Sequence, residues 1–205
     1  MHTQHCEEHS QVCSVEQTLD GKHFRLTSVA TIATRARTPS TFKEVLMLWG
    51  NTWLWEHLTI TGGELWIHRS IAEGTLVAIT DRSYMRELYP NICSAAFVLE
   101  CSKGQGRIYG TYTEATNVAN TYQGELLGLM AIHLILLSVN KFNCQLSGSM
   151  EIVLDCLGTL KQVTFLQLHR IPSRCRHSDI LNTILVHCRG LSFMTYYSHI
   201  PCLTS

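Results

Sequence analysis

Apolar and polar positions change rhythm several times along the chain. Phe42, Val45, Leu46, Leu48, Trp49, Trp53, Leu54 and Trp55 recur at helical spacing, which predicts an amphipathic helix over Phe42–Trp55. From Leu76 the texture turns short and β-branched, and Leu76–Thr80 predicts a strand that runs into Asp81-Arg82-Ser83. Two further strands are expected over Ile92–Cys101 and Arg107–Thr113, joined by a tight hairpin at Ser102-Lys103-Gly104-Gln105-Gly106. A long helix follows over Asn120–Asn140, where Leu126, Leu129, Met130, His133, Leu134 and Leu137 return to helical spacing. Met150–Leu154 predicts a fourth strand, which again ends in an acid, Asp155, and leads into a short helix over Leu157–Leu166. Ser178-Asp179 opens one more helix, with Ile180, Leu181, Ile184, Leu185 and Cys188 on one face and Gly190 as its stop. Phe193–Ile200 completes the pattern as a fifth strand.

Three antiparallel strands, a long helix, a strand, helices and a last strand make an α/β chain, a mixed five-stranded sheet flanked by helices. If the strands from Leu76 and Met150 are parallel neighbours, Asp81 and Asp155 end at the same edge of the sheet, where open α/β sheets place their ligands. Glu125 lies in the first turns of the long helix, and Gly128 on the same face lets that helix come close to the sheet. Taken singly, each of these acids also satisfies a cap or a solvated turn. Taken together, three converging carboxylates need a compensating positive charge, and hard oxygen ligands favour Mg2+ or Mn2+.

Composition narrows the picture without deciding it. With 45% hydrophobic and 16% charged residues over 205 positions, the chain can bury a core and is expected to fold. The expected division is an N-terminal extension and connecting segment over 1–75, whose first forty residues show little periodicity, and one domain over 76–205. The formal net charge is zero, so any attraction to nucleic acid has to be local. Such an excess exists between Asp155 and Asp179, where Lys161, Arg170, Arg174 and Arg176 meet no acid; it suits phosphates, and it equally suits a solvated loop. The N-terminus carries no secretory pattern, and nine scattered cysteines suit reduced thiols, so an intracellular chain is expected. Leu126–Val139 is shorter than the roughly 20 residues of a spanning helix, so no membrane partner is expected. His2, His5, Cys6, His9 and Cys13 lack the paired spacing of a structural zinc site, and Gly104-Gln105-Gly106 lacks the ending of a phosphate loop.

Several stretches carry a resemblance as well. Ile79-Thr80-Asp81-Arg82-Ser83-Tyr84, Tyr122-Gln123-Gly124-Glu125-Leu126-Leu127-Gly128, Leu154-Asp155-Cys156-Leu157-Gly158 and Arg176-His177-Ser178-Asp179-Ile180-Leu181 look like the ribonuclease H domain of eukaryotic non-viral retroelement reverse transcriptases. Trp49-Gly50-Asn51-Thr52-Trp53 and Ser94-Ala95-Ala96-Phe97 resemble the same group. The resemblance implies a ribonuclease H-like fold in which Asp81, Glu125 and Asp155 match the first three acids of a four-carboxylate site holding two Mg2+ (or Mn2+) ions. It further implies endonucleolytic hydrolysis of the RNA strand of an RNA–DNA hybrid, with Ser83, Arg170, Arg174 and Arg176 as substrate-binding residues. The reverse transcriptase part of a parent polyprotein is the implied protein partner. Two departures stand out: Arg82 takes the place of a family glycine where the backbone approaches the RNA, so that its bulk is expected to crowd that approach, and the sequence after His199 lacks the fourth acid and closing helix, which reads as a truncated C-terminal end. The alternative is therefore a catalytically inactive nucleic-acid-binding or structural remnant of the same fold. A transposase or exonuclease relative acting on DNA shares the carboxylate logic but not these stretches.

Overall fold

The computed structural model describes residues 13–17, 24–28, 39, 41–49, 54–63, 65–116, 119–142, 146–169, 171–172 and 174–200. The chain divides after Thr38, into Met1–Thr38 and Pro39–Ser205. The segment 39–75, assigned by the sequence to a connecting extension, thus belongs to the same unit as the sheet.

In the first unit β1 (Cys13–Gln17) pairs antiparallel with β2 (Phe24–Ser28), Cys13 opposite Ser28 and Gln17 opposite Phe24. No regular element was expected there. Two five-residue segments of alternating character flank Asp20-Gly21, a local hairpin signal that the polar composition of the region conceals.

The second unit begins with α1 (Phe42–Met47), closed at its start by a capping box in which Thr41 accepts from the Glu44 amide and Glu44 accepts from the Thr41 amide. The helix is half the expected length: it ends before Gly50-Asn51-Thr52, residues with poor helix propensity. Trp49 donates from Nε1 to Ser138 Oγ at 2.7 Å and ties this segment to the core helix. A three-residue strand β3 (Thr59–Thr61) and a short helix α2 (Trp66–Ala72) follow. Neither was anticipated, because each is too short to establish a period.

From there the expected elements appear: β4 (Leu76–Ser83), β5 (Ile92–Cys101), β6 (Arg107–Ala115), α3 (Thr121–Phe142), β7 (Ser149–Leu154), α4 (Leu157–Leu168), α5 (Ser178–Arg189) and β8 (Met194–His199). The sheet runs in the order β3-β6-β5-β4-β7-β8, with β4, β5 and β6 an antiparallel meander and β4, β7 and β8 parallel. The five anticipated strands are thus joined by β3, antiparallel to β6 at the edge. Two parallel crossovers, through α3 and through α4 and α5, require helices against the sheet, and they make this a mixed α/β fold.

β5 shows how the core is seated. Cys93, Ala95, Phe97, Leu99 and Cys101 are buried while their neighbours are half-exposed, the period of two that turns one face inward. α3 lies on β4 and β5 and is itself covered by α1 and α5, so it is apolar on nearly every side. It is long and apolar enough to cross a membrane by length and composition, yet 83% of that stretch is buried inside the fold. Gly128 makes this seating possible: a Cβ there would come within 2.0 Å of Thr80 Oγ1. His133 is fully buried in the same helix. Its Nδ1 donates to the Leu129 carbonyl at 2.8 Å, since that oxygen can only accept, which leaves Nε2 to accept from the Tyr197 hydroxyl of β8 at 2.8 Å.

Candidate active site at the carboxyl ends of β4 and β7

Three elements bring acids to one end of the sheet. Leu76 to Ile79 of β4 pair in parallel register with Met150 to Val153 of β7. Asp81 and Asp155 each lie two residues beyond the last of these pairs, at the same level and at the strands' carboxyl ends. Glu125 enters from the first turns of α3. Gly124 and Gly128 flank it on that helix, and a Cβ on Gly124 would already stand 3.2 Å from the Ser94 carbonyl and 3.5 Å from Arg82 Cβ. The close approach of α3 is what carries Glu125 down to the strand ends.

The three acids differ in environment. Asp81 is exposed, and its Oδ1 accepts from the Arg82 amide at 2.7 Å. Asp155 is 26% exposed, and Glu125 is completely buried. Burial pushes the Glu125 carboxyl up to about 7; the hydrogen bond from Arg82 opposes this, and the nearby charges of Asp155 and Asp81 add to it. The Glu125 Oε1 atom is buried without a hydrogen-bond partner.

Between the two inner acids stands Arg82. Its Nη1 donates to Glu125 Oε2 at 2.9 Å and to Asp155 Oδ1 at 2.6 Å, so one nitrogen bridges both carboxylates. Burial works against the arginine's charge, but the hydrogen bond to Glu125 and the charges of Glu125 and Asp155 outweigh it and hold the guanidinium more firmly protonated than a free arginine. Arg82 Nε is buried with no partner, which marks charge, rather than complete hydrogen bonding, as what holds the group there.

Arg82 was expected to crowd the approach to the site. The structure gives it a direct bond to two of the three acids instead. The strand continues past Thr80 to Ser83, and alternation along Leu76, Ala78, Thr80 and Arg82 turns Arg82 toward α3. That signal was available in the sequence, and ending the strand at Thr80 hid it. His199, at the end of β8, is a second neighbour that sequence reasoning left without a role. Its Nε2 donates to the Asp155 carbonyl at 3.1 Å and so helps fix the turn that presents Asp155.

The substrate-binding candidates are less concentrated. Ser83 is exposed at the end of β4, paired with Ser94 in the antiparallel ladder. Arg174 and Arg176 are exposed in the segment before α5, and Arg170 lies outside the described residues. That segment is fastened to the start of α3, the same end that carries Glu125. Gln162 donates to Cys175 Sγ at 3.1 Å and accepts from the Tyr122 hydroxyl, and His177, in the left-handed region at φ 56°, contacts Asn120 at 3.1 Å.

The donor chemistry suits a hard cation, and the unpartnered Glu125 Oε1 adds to that. The arrangement does not suit one. Among the described residues no group of three or more acids, imidazoles or thiols is close enough together to hold a metal ion. Where a metal would be shared by Glu125 and Asp155, the Arg82 nitrogen already lies.

No protein-family model matches the sequence, and no curated protein matches it. Solved structures do resemble the fold. The ribonuclease H1 of the halophilic archaeon Halobacterium salinarum NRC-1 is 20% identical over 63% of this chain and 87% of its own, with a TM-score of 0.42. LC11-RNase H1 in complex with an RNA/DNA hybrid is 12% identical over 62% and 86%, with a TM-score of 0.48. The PFV RNase H domain is 10% identical over 65% and 84%, with a TM-score of 0.42.

Proposed function

We propose that this chain is a ribonuclease H-type domain that engages RNA–DNA hybrids at the carboxyl ends of β4 and β7, with Asp81, Glu125 and Asp155 as its acids. What supports this is one observation: Arg82 of β4 bonds Glu125 of α3 and Asp155, just beyond β7, at the carboxyl end of the parallel strand pair, and Glu125 is fully buried there. An acid is costly to bury, and a fully buried one sharing an arginine with a second acid is a poor solution for stability alone. The reaction that fits such a set is hydrolysis of the RNA strand with Mg2+ or Mn2+, two ions in a complete site. Ser83, Arg174, Arg176 and Arg170 are the residues proposed to meet the hybrid, the arginines through phosphates and without base preference. A reverse transcriptase segment of the same polyprotein is the proposed protein partner. Arg82 stands between two of the acids.

That same arginine favours a second reading, a hybrid-binding domain that does not cleave. Both make the protein retain a labelled RNA–DNA hybrid in preference to duplex DNA of the same sequence. They are separated by following RNA-strand cleavage with Mg2+ against chelator. The expected outcome is binding with cleavage that is weak or absent in the unaltered chain. Equal binding of both duplexes, or cleavage that persists in Asp81→Asn, contradicts the assignment.

A further inference from the structure

We propose that Arg82 is the resident cation of this site, and that its guanidinium keeps a divalent metal ion out of the space between Glu125 and Asp155. This rests on the reading of the acids as a hard-oxygen cation site, and it goes beyond it by naming what keeps the metal out.

The geometry carries the proposal. A bridging metal ion needs oxygens at about 2.0–2.6 Å, and a single Arg82 nitrogen already stands 2.9 and 2.6 Å from an oxygen of each carboxylate. No ion can share that position with it. The position is also built rather than incidental. Arg82 is only 19% exposed, its Cβ lies under the first turns of α3 beside Gly124, and its strand parity points it inward. Removing the guanidinium would leave Glu125 buried, with its Oε1 already unpartnered and the charge of Asp155 beside it. Carboxylates freed in this way are neutralised by a proton or by another cation, and among metal ions oxygen-only donors select Mg2+ or Mn2+.

The test is Mn2+ binding by the full chain, without nucleic acid, followed by the electron paramagnetic resonance signal of the free ion and by thermal melting. The proteins are the unaltered chain, Arg82→Gly, and Arg82→Gly combined with Asp155→Asn. Arg82→Gln, which keeps the stem under α3 and loses the charge, serves the same purpose should the glycine variant fail to fold. The unaltered chain is expected to show no saturable binding at millimolar Mn2+ and no metal-dependent rise in melting temperature. Arg82→Gly is expected to melt lower without metal, to bind Mn2+ at least tenfold more tightly, and to regain melting temperature as it does so. Adding Asp155→Asn should abolish that gain. Equal binding by the unaltered chain and Arg82→Gly overturns the role of Arg82 and leaves the carboxylate site standing. Binding by neither overturns both.

Discussion

Arg82 and Glu125 show how one residue sets the cost of another. Glu125 is fully buried, and the bond from Arg82 is what makes its charge tolerable there. Breaking a buried pair by removing one partner commonly costs about 3–5 kcal/mol. Arg82→Ala is therefore expected to destabilise the chain by about 3 kcal/mol in urea denaturation. Adding Glu125→Gln to Arg82→Ala should recover a large part of that loss, since the stranded charge is gone; a further loss of similar size would contradict the coupling. His133 offers a residue-scale test far from the acids. Burial drives its ring down to about 4 in the folded chain, while an unfolded histidine titrates near about 6.5. Between those values the unfolded state binds more protons, so stability falls as the pH drops from 6.5 to 4 and is insensitive to this group above 6.5. The full effect is about 3 kcal/mol, and His187, lowered to about 4 chiefly by burial, acts in the same direction. Denaturation across this window should show the slope flattened in His133→Gln; an unchanged slope removes His133 as its source.

Among the elements, α3 does most to form the site, and its contact with β4 is tightest at Gly128. A methyl group at that position would meet Thr80 Oγ1 at 2.0 Å, so Gly128→Ala has to push the helix away from the sheet. Overpacking of this kind costs about 1–3 kcal/mol, and here it should also draw Glu125 away from Asp155. Calorimetry is expected to show a lowered melting temperature, and a variant as stable as the parent would mean that α3 is not held so close. How legible the elements were depended on their length. α3, β5 and β6 were readable because each repeats its period several times, and Asp155 was placed directly after β7, whereas Asp81 lies inside β4, which runs on to Ser83. β3 and α2 were not, since three and seven residues establish no period and their places are fixed by contacts with β6 and Gly106 rather than by their own pattern. The N-terminal hairpin was missed for a different reason: polar composition outweighed a local alternation in the reading of that stretch. Arg82 was seen as bulk in the wrong place, because its partners come from two elements 43 and 73 residues away. No local window contains that information.

At the scale of the whole molecule, the net charge of zero hides an uneven distribution. Glu125 and Asp155 share Arg82 beyond the parallel pairs of β4 and β7, and exposed Arg174 and Arg176 lie in a segment fastened to the start of α3 at that same end. Hybrid binding should therefore weaken as salt rises, and each of Arg174→Gln and Arg176→Gln should lower the slope of log affinity against log salt by roughly 1. An unchanged slope would remove this segment from the interface. We propose that the three acids form a hydrolytic site that Arg82 keeps closed. Release of labelled RNA from an RNA–DNA hybrid tests it most directly, measured with Mg2+ or Mn2+ and with chelator for the unaltered chain, for Arg82→Gly, and for Arg82→Gly with Asp81→Asn. The expected result is slow or absent release by the unaltered chain, metal-dependent release at least tenfold faster in Arg82→Gly, and its loss when Asp81 is also replaced. Release by the unaltered chain that is as fast as that of Arg82→Gly, or that survives chelation, would contradict it.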